Sequence, residues 1–146
     1  MGQTLVAGAF VADASIALAW VARGQSTPAA IALLLDVNKG RELVVPSHWP
    51  FEVANALLFL HQRQILSEAE HISARLMLQD IAFDMDGESI QQAFANTTML
   101  AAAHGLTVYA AAYLELALRR GIPLASRDAK LLYASAVAGV IVIDAR

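Results

Sequence analysis

What most constrains this chain is an alternation: four short, predominantly apolar runs, at residues 5–12, 43–45, 122–125 and 140–143, each separated from the next by sequence with helical signals. Runs this short and this uniformly apolar read as strands buried on both faces. The intervening segments carry helix punctuation. Residues 15–22 read as a helix, and Thr27 followed by Pro28 marks an N-cap and first helical position, with Gly40 closing that helix. Pro46 and Pro50 punctuate a loop, after which residues 51–64 are helical and apolar on nearly every side. Ser67 with Glu70 forms a capping box for a helix running to Asp80, and a polar turn follows from Asp84 to Ser89. Residues 90–104 and 108–120 read as a helical hairpin, ended by Gly105 and Gly121, and residues 128–137 as a last helix. Strands separated by helices require parallel crossovers, so the expected fold is α/β: a parallel sheet with helices on both faces, its site beyond the carboxyl ends of the strands.

At 146 residues the chain fits one domain, 1–146. It has no cysteine, which excludes a disulfide framework and a thiolate zinc site and makes the cytoplasm the expected compartment. Asp13 interrupts the first apolar stretch far short of the roughly 20 residues a bilayer span requires, so no membrane association is expected. An apolar content of 58% and a mean hydropathy of +0.52 exceed the usual range and point to surface that meets a partner. The helix at 51–64, with Phe51, Val53, Leu57, Leu58, Phe59 and Leu60 around its circumference, is the expected place, either between two copies or against a different chain. A net charge of −3 means that any nucleic-acid contact needs a local basic patch, for which Arg119, Arg120, Arg127 and Lys130 are candidates.

Three acids fall where such a fold puts its site. Asp13 follows the first strand, Glu52 lies in the first turn after the second, and Asp128 lies just past the third, all toward one rim. Carboxylates gathered without a counter-ion raise one another's pKa, so such a cluster serves a hard cation, Mg²⁺ or Mn²⁺. Each acid also has an ordinary reading as a helix cap or dipole partner. Asn55, one turn beyond Glu52, is placed to hold a metal-bound water or the carboxylate, or else is a solvated polar position. Ser15 and Ser126 are either caps or hydrogen-bond donors that orient an acid. The four histidines show no zinc-motif spacing and receive no role, and the Asp84, Asp86, Glu88 turn departs from a calcium loop and reads as solvated.

The sequence resembles PIN-domain proteins, in particular the VapC-like toxins of toxin–antitoxin pairs, along most of its length. The resemblance is carried by Val11-Ala-Asp13-Ala-Ser15 with Trp20, by Pro50-Phe-Glu52-Val-Ala-Asn55-Ala-Leu57, by Leu106-Thr-Val-Tyr109 through Tyr113-Leu-Glu-Leu-Ala117, and by Ile122-Pro-Leu-Ala-Ser126-Arg-Asp128. It implies a PIN-like three-layer fold and a metal-dependent endoribonuclease. Asp13, Glu52 and Asp128 match the family's metal-site acids, and Asn55 and Ser126 its supporting positions. The implied partners are a VapB-like antitoxin, an RNA substrate and a second copy of the chain. One position departs: the family usually carries Asp directly after the Tyr that aligns with Tyr109, and this chain has Ala110. The resemblance therefore implies impaired catalysis, or alternatively a non-catalytic module that binds an antitoxin or RNA. A receiver-type signalling domain and an aspartyl phosphatase fit less well, because Asp13 is flanked by alanines and followed two residues on by Ser15.

Overall fold

A computed structural model describes residues 8–146. Its strands are β1 (Phe10–Ala12), β2 (Leu43–Val45), β3 (Asp84–Met85), β4 (Leu124–Ser126) and β5 (Val142–Asp144), all parallel, in the order β3-β2-β1-β4-β5. The α/β class is as expected. The first apolar run is a strand only from Phe10 onward, and its part before residue 8 lies outside the described residues. β1, β2 and β4 are buried throughout, and their side chains fill the space between two groups of helices.

The chain leaves β1 toward β2 and β3, then returns past β1 to lay down β4 and β5. Right-handed crossovers in opposite directions put helices on opposite faces. Accordingly α1 (Ala14–Val21) packs with α2 (Pro28–Asn38), α3 (Trp49–Gln62) and α4 (Glu68–Gln79). Near the other end of the chain come α5 (Ser89–Gln92), a π-helical turn (Ala93–Thr97), α6 (Thr98–His104), α7 (Val108–Arg120) and α8 (Ala129–Val137). Of these, α7 packs with α5, the π turn, α6 and α8, and also with β1 and β4. Every residue of α7 from Ala111 to Ala117 is buried, Glu115 included. The reversal of direction lies between β1 and β4, and the crevice at their carboxyl ends is where such sheets place ligands.

Local chemistry sets the helix ends. Thr27 accepts from the Ala30 N–H, and Ser67 and Glu70 complete the reciprocal capping box. Gly105 and Gly121 close α6 and α7 at φ of +63° and +65°, a conformation that favours glycine.

Two expectations are corrected. The polar turn at 84–89 contains β3, a two-residue edge strand whose side chains are both exposed, so no apolar alternation betrays it. The helix at 90–104 is broken by the π turn, where Ala95 leaves helical geometry and the Thr98 hydroxyl donates to the Ala93 carbonyl at 2.6 Å. α3 buries Trp49, Val53 and Leu57 and leaves Phe51 80% exposed, with Leu58 and Phe59 also open, the apolar surface that the sequence led us to expect on this helix. Among the described residues no single helix is long and apolar enough to cross a membrane.

Candidate functional site

Asp13 stands at the carboxyl end of β1, beside the end of β4. It is the N-cap of α1, with the Ile16 N–H near enough to its carboxyl to lower the pKa, but its side chain makes no capping hydrogen bond. Its oxygens go elsewhere. The Ser15 hydroxyl donates to Oδ1 at 2.5 Å and the Ser126 hydroxyl to Oδ2 at 2.6 Å. Each serine also accepts a backbone N–H from the loop after β4, Ser15 from Arg127 and Ser126 from Asp128, both at 2.9 Å. A hydroxyl has one proton, and the N–H bonds occupy its acceptor side, so both protons point at Asp13. The clamp thus suits an ionised carboxylate, although the group is only 6% exposed. Burial pushes its pKa up to about 6, against the pull of Ser126, Ser15 and the Ile16 N–H, and the Glu52 charge adds to the rise.

Glu52, in the first turn of α3, leans toward α7. Its Oε1 accepts from the Tyr113 hydroxyl at 2.9 Å, and His48 Nε2 lies 3.6 Å from its Oε2. Burial raises the pKa of Glu52, with the Tyr113 bond partly opposing it. Tyr113 is itself buried, and burial together with the charges of Glu52 and Asp13 holds its phenol protonated. The His48 ring packs edge-on to Tyr113 and tilted to Tyr109, and burial lowers its pKa. Ala110 is one helical turn before Tyr113, on the same face of α7, with its N–H held by the Thr107 hydroxyl at 3.1 Å.

Asp128 reaches the same rim but caps α8, its Oδ1 accepting the Lys130 N–H at 3.0 Å. Its ordinary reading therefore holds for one oxygen, and only its backbone N–H joins the Asp13 clamp, through Ser126. Asn55 is exposed and its side chain makes no hydrogen bond among the described residues, so it does not hold the Glu52 carboxylate. The structure brings Asp13, Ser15, Ser126 and Glu52 together, with Asp128 at the margin. Among the described residues no three acids or histidines lie close enough together to enclose a metal ion. The donors present nonetheless suit a hard cation: oxygen ligands only, one of them a buried carboxylate with no ion pair among the described residues. Arg127, whose backbone joins the clamp, pairs with no acid among the described residues, and its side chain reaches only Gln25 Oε1, at 3.5 Å.

Sequence reasoning missed Tyr113 and His48, which hold and flank Glu52 across the sheet. It also misread the turn at 84–89 as solvated. Asp86 is 2% exposed and is gripped by Arg119 at 2.6 and 3.0 Å and by Arg120 at 2.9 Å, while Arg119 also holds buried Glu115 at 2.8 and 3.0 Å. Arg119 and Arg120 are thereby taken up by internal acids rather than left for phosphate. The four-residue spacing of Glu115 and Arg119 was the one visible signal.

The PIN domain profile matches residues 10–137. Among solved structures the chain is similar to PAE2754 from Pyrobaculum aerophilum, with 22% identity over 93% of this chain and 92% of that one and a TM-score of 0.62. It is similar to FitAcB from Neisseria gonorrhoeae, with 15% identity over 92% of this chain and 96% of that one and a TM-score of 0.63. A third similar structure is FitAB bound to an IR36 DNA fragment, with 16% identity over 92% of this chain and 94% of that one and a TM-score of 0.55. At these identities the likeness to the solved structures is one of fold. No curated protein matches the sequence.

Proposed function

The chain belongs to the PIN domain family, and from that premise we propose that it is a divalent-metal-dependent endoribonuclease toxin of a toxin–antitoxin pair, impaired in catalysis by Ala110. PIN domains are generally nucleases and generally use divalent metals. The observation that carries the reading is Asp13: a buried carboxyl that accepts from two serine hydroxyls, feels the Glu52 charge and has no ion pair among the described residues. Such a charge is stabilised from outside, by a cation.

In this reading Asp13 and Glu52 hold Mg²⁺ or Mn²⁺, with Asp128 as the third acid on the rim. When bound, the ion polarises the phosphodiester and lowers the pKa of an attacking water. The remaining work belongs to the chain. Ser15 and Ser126 fix the plane of the Asp13 carboxylate, Tyr113 fixes one oxygen of Glu52, and Arg127 offers the nearest uncommitted positive charge to a phosphate. The family's acid at the position of Ala110 stands one turn from Tyr113, on the side of α7 that meets Glu52, so its loss opens the cup toward α7. With one acid fewer, Asp13, Glu52 and Asp128 would hold a divalent cation more weakly and would orient its chemistry less well.

The test is cleavage of mixed structured RNAs, with and without chelator. The chain as given is expected to be folded and nearly inactive. Ala110→Asp restores Mg²⁺- or Mn²⁺-dependent cleavage, and Asp13→Asn added to it abolishes cleavage again. Ala110 also favours a second reading, a non-catalytic module that binds an antitoxin or RNA. That reading gains if Ala110→Asp is folded and binds metal but cuts no RNA while the given chain still binds its antitoxin. For either function the open face of α3, with Phe51, Leu58 and Phe59, is the proposed contact for a VapB-like antitoxin or a second copy.

A further inference from the structure

The three acids on the rim share a feature beyond their placement: each already has an oxygen engaged by a donor of this chain. Glu52 Oε1 accepts from the Tyr113 hydroxyl at 2.9 Å, and Asp128 Oδ1 accepts from the Lys130 N–H at 3.0 Å. Asp13 is tied at both oxygens, by Ser15 and Ser126. The second oxygens of Glu52 and Asp128 accept no hydrogen bond among the described residues. His48 Nε2 stands 3.6 Å from Glu52 Oε2, outside hydrogen-bond reach. An oxygen that accepts a hydrogen bond has given up a lone pair and part of its negative charge, so its unbonded twin is the better ligand. Glu52 and Asp128 are thereby set to ligate through one oxygen each.

Divalent cations differ in what they ask of a carboxylate. Ca²⁺ gathers roughly 6–8 oxygens and often takes both from one carboxylate, whereas Mg²⁺ keeps several waters and is held by about one or two carboxylates. We propose that Tyr113 is a positioning residue that selects the cation: by holding Oε1 it confines Glu52 to ligation through one oxygen and favours Mg²⁺ over Ca²⁺. The proposal rests on the metal-dependent reading and adds to it which residue sets the ion. Among the donors to the three acids, only that of Tyr113 can be removed by itself. Ser15 and Ser126 also hold the loop after β4 through the Arg127 and Asp128 N–H groups, and the donor to Asp128 is backbone. The Tyr113 ring is buried and packs edge-on to His48, so phenylalanine at this position keeps the packing and deletes the hydroxyl.

The experiment measures metal binding, so it does not depend on turnover. Mg²⁺ and Ca²⁺ are titrated separately against the chain and against Tyr113→Phe at neutral pH. Binding is followed by the backbone N–H resonances of Ser126 and Asp128, with Asp13→Asn marking ions bound elsewhere. Tyr113→Phe is expected to bind Mg²⁺ about tenfold more weakly, because Glu52 loses the partner that orients it. Ca²⁺ offsets that loss by taking both freed oxygens, so its affinity changes by less than about threefold. A merely structural role of Tyr113 lowers both affinities by one factor. An unchanged ratio of Mg²⁺ to Ca²⁺ affinity therefore overturns the proposal and leaves the metal-dependent reading intact. Should Tyr113→Phe not fold, the parent chain answers by infrared difference spectra, with and without Mg²⁺, after labelling glutamate carboxyls with ¹³C and subtracting Glu52→Gln. A carboxylate bound through one oxygen separates its two C–O stretches more widely than a free one, and a carboxylate bound through both separates them less. The wider separation is expected for Glu52, and the narrower one overturns the proposal. If neither ion moves the resonances of this chain or of Ala110→Asp, the metal-dependent reading falls and the selection by Tyr113 falls with it.

Discussion

Asp13 and Asp86 are both buried aspartates, one just past the carboxyl end of β1 and the other just past that of β3, and the chain treats them oppositely. Asp86 receives two guanidinium groups, and their hydrogen bonds hold its carboxyl below the usual range despite its burial. Asp13 receives two neutral hydroxyls, and burial pushes its pKa up to about 6. Hydrogen bonds orient a carboxylate, but only a cation balances it. Asp86 is therefore balanced within the chain, and Asp13, in the proposed function, would be balanced by a bound cation.

The largest effect that sharpens this contrast comes from removing the internal cation. Arg119→Ala leaves Asp86 and Glu115 buried with Arg120 as the one remaining guanidinium, and is expected to lower stability by about 3–5 kcal/mol in urea unfolding. A loss no greater than that of an exposed arginine would erase the distinction between the two sites.

Next in size is the pH dependence, where the two aspartates have opposite signs. Asp86 has a lowered pKa, so its stabilisation is present above the unfolded value of 3.8 and is lost as pH falls below it. Asp13 has a raised pKa, so the folded chain holds the extra proton, and stability from this group falls as pH rises from 3.8 to about 6. In chelator, the stability of Asp13→Asn relative to the parent should grow by about 3 kcal/mol across that window and level off above it, at about 1.4 kcal/mol per pH unit. A flat difference between pH 4 and 7 contradicts the assignment.

A smaller effect is the response to metal. Mg²⁺ or Mn²⁺ at ten times its dissociation constant should stabilise the parent by about 1.4 kcal/mol, read as a rise in Tm. Asp13→Asn should remove the rise, and Arg119→Ala should retain it. The smallest effect concerns the clamp itself. Ser15→Ala removes one donor from Asp13 and one acceptor from the Arg127 N–H, a loss of about 1 kcal/mol. It should also move the Asp13 titration, followed by carboxyl carbon shifts in chelator, upward from about 6.

Asp13 and Ser126 were legible in the sequence because an apolar run ends at or beside each, and strand ends are where an α/β sheet keeps its chemistry. The PIN-domain resemblance, read from four separated segments, is borne out by the match over residues 10–137. β3 was hidden because two exposed residues on a sheet edge carry no periodic signal, and the π turn because its extra residue matters only against α7. The bond from Tyr113 to Glu52 spans 61 positions, and no local pattern announces it. The side chain of Asp128 illustrates the reverse: its place on the rim was legible, but its use as a cap was one of two readings that only coordinates separate.

The chain order of the strands has a consequence for biosynthesis. Ser126 reaches Asp13 across 113 positions, so a nascent chain that has laid down β1, β2 and β3 already displays Asp13 and Ser15 but cannot close the clamp. Closure of the clamp waits until β4 pairs beside β1. Under the proposed function, a product stalled before β4 lacks the Ser126 bond to Asp13 and with it the completed clamp.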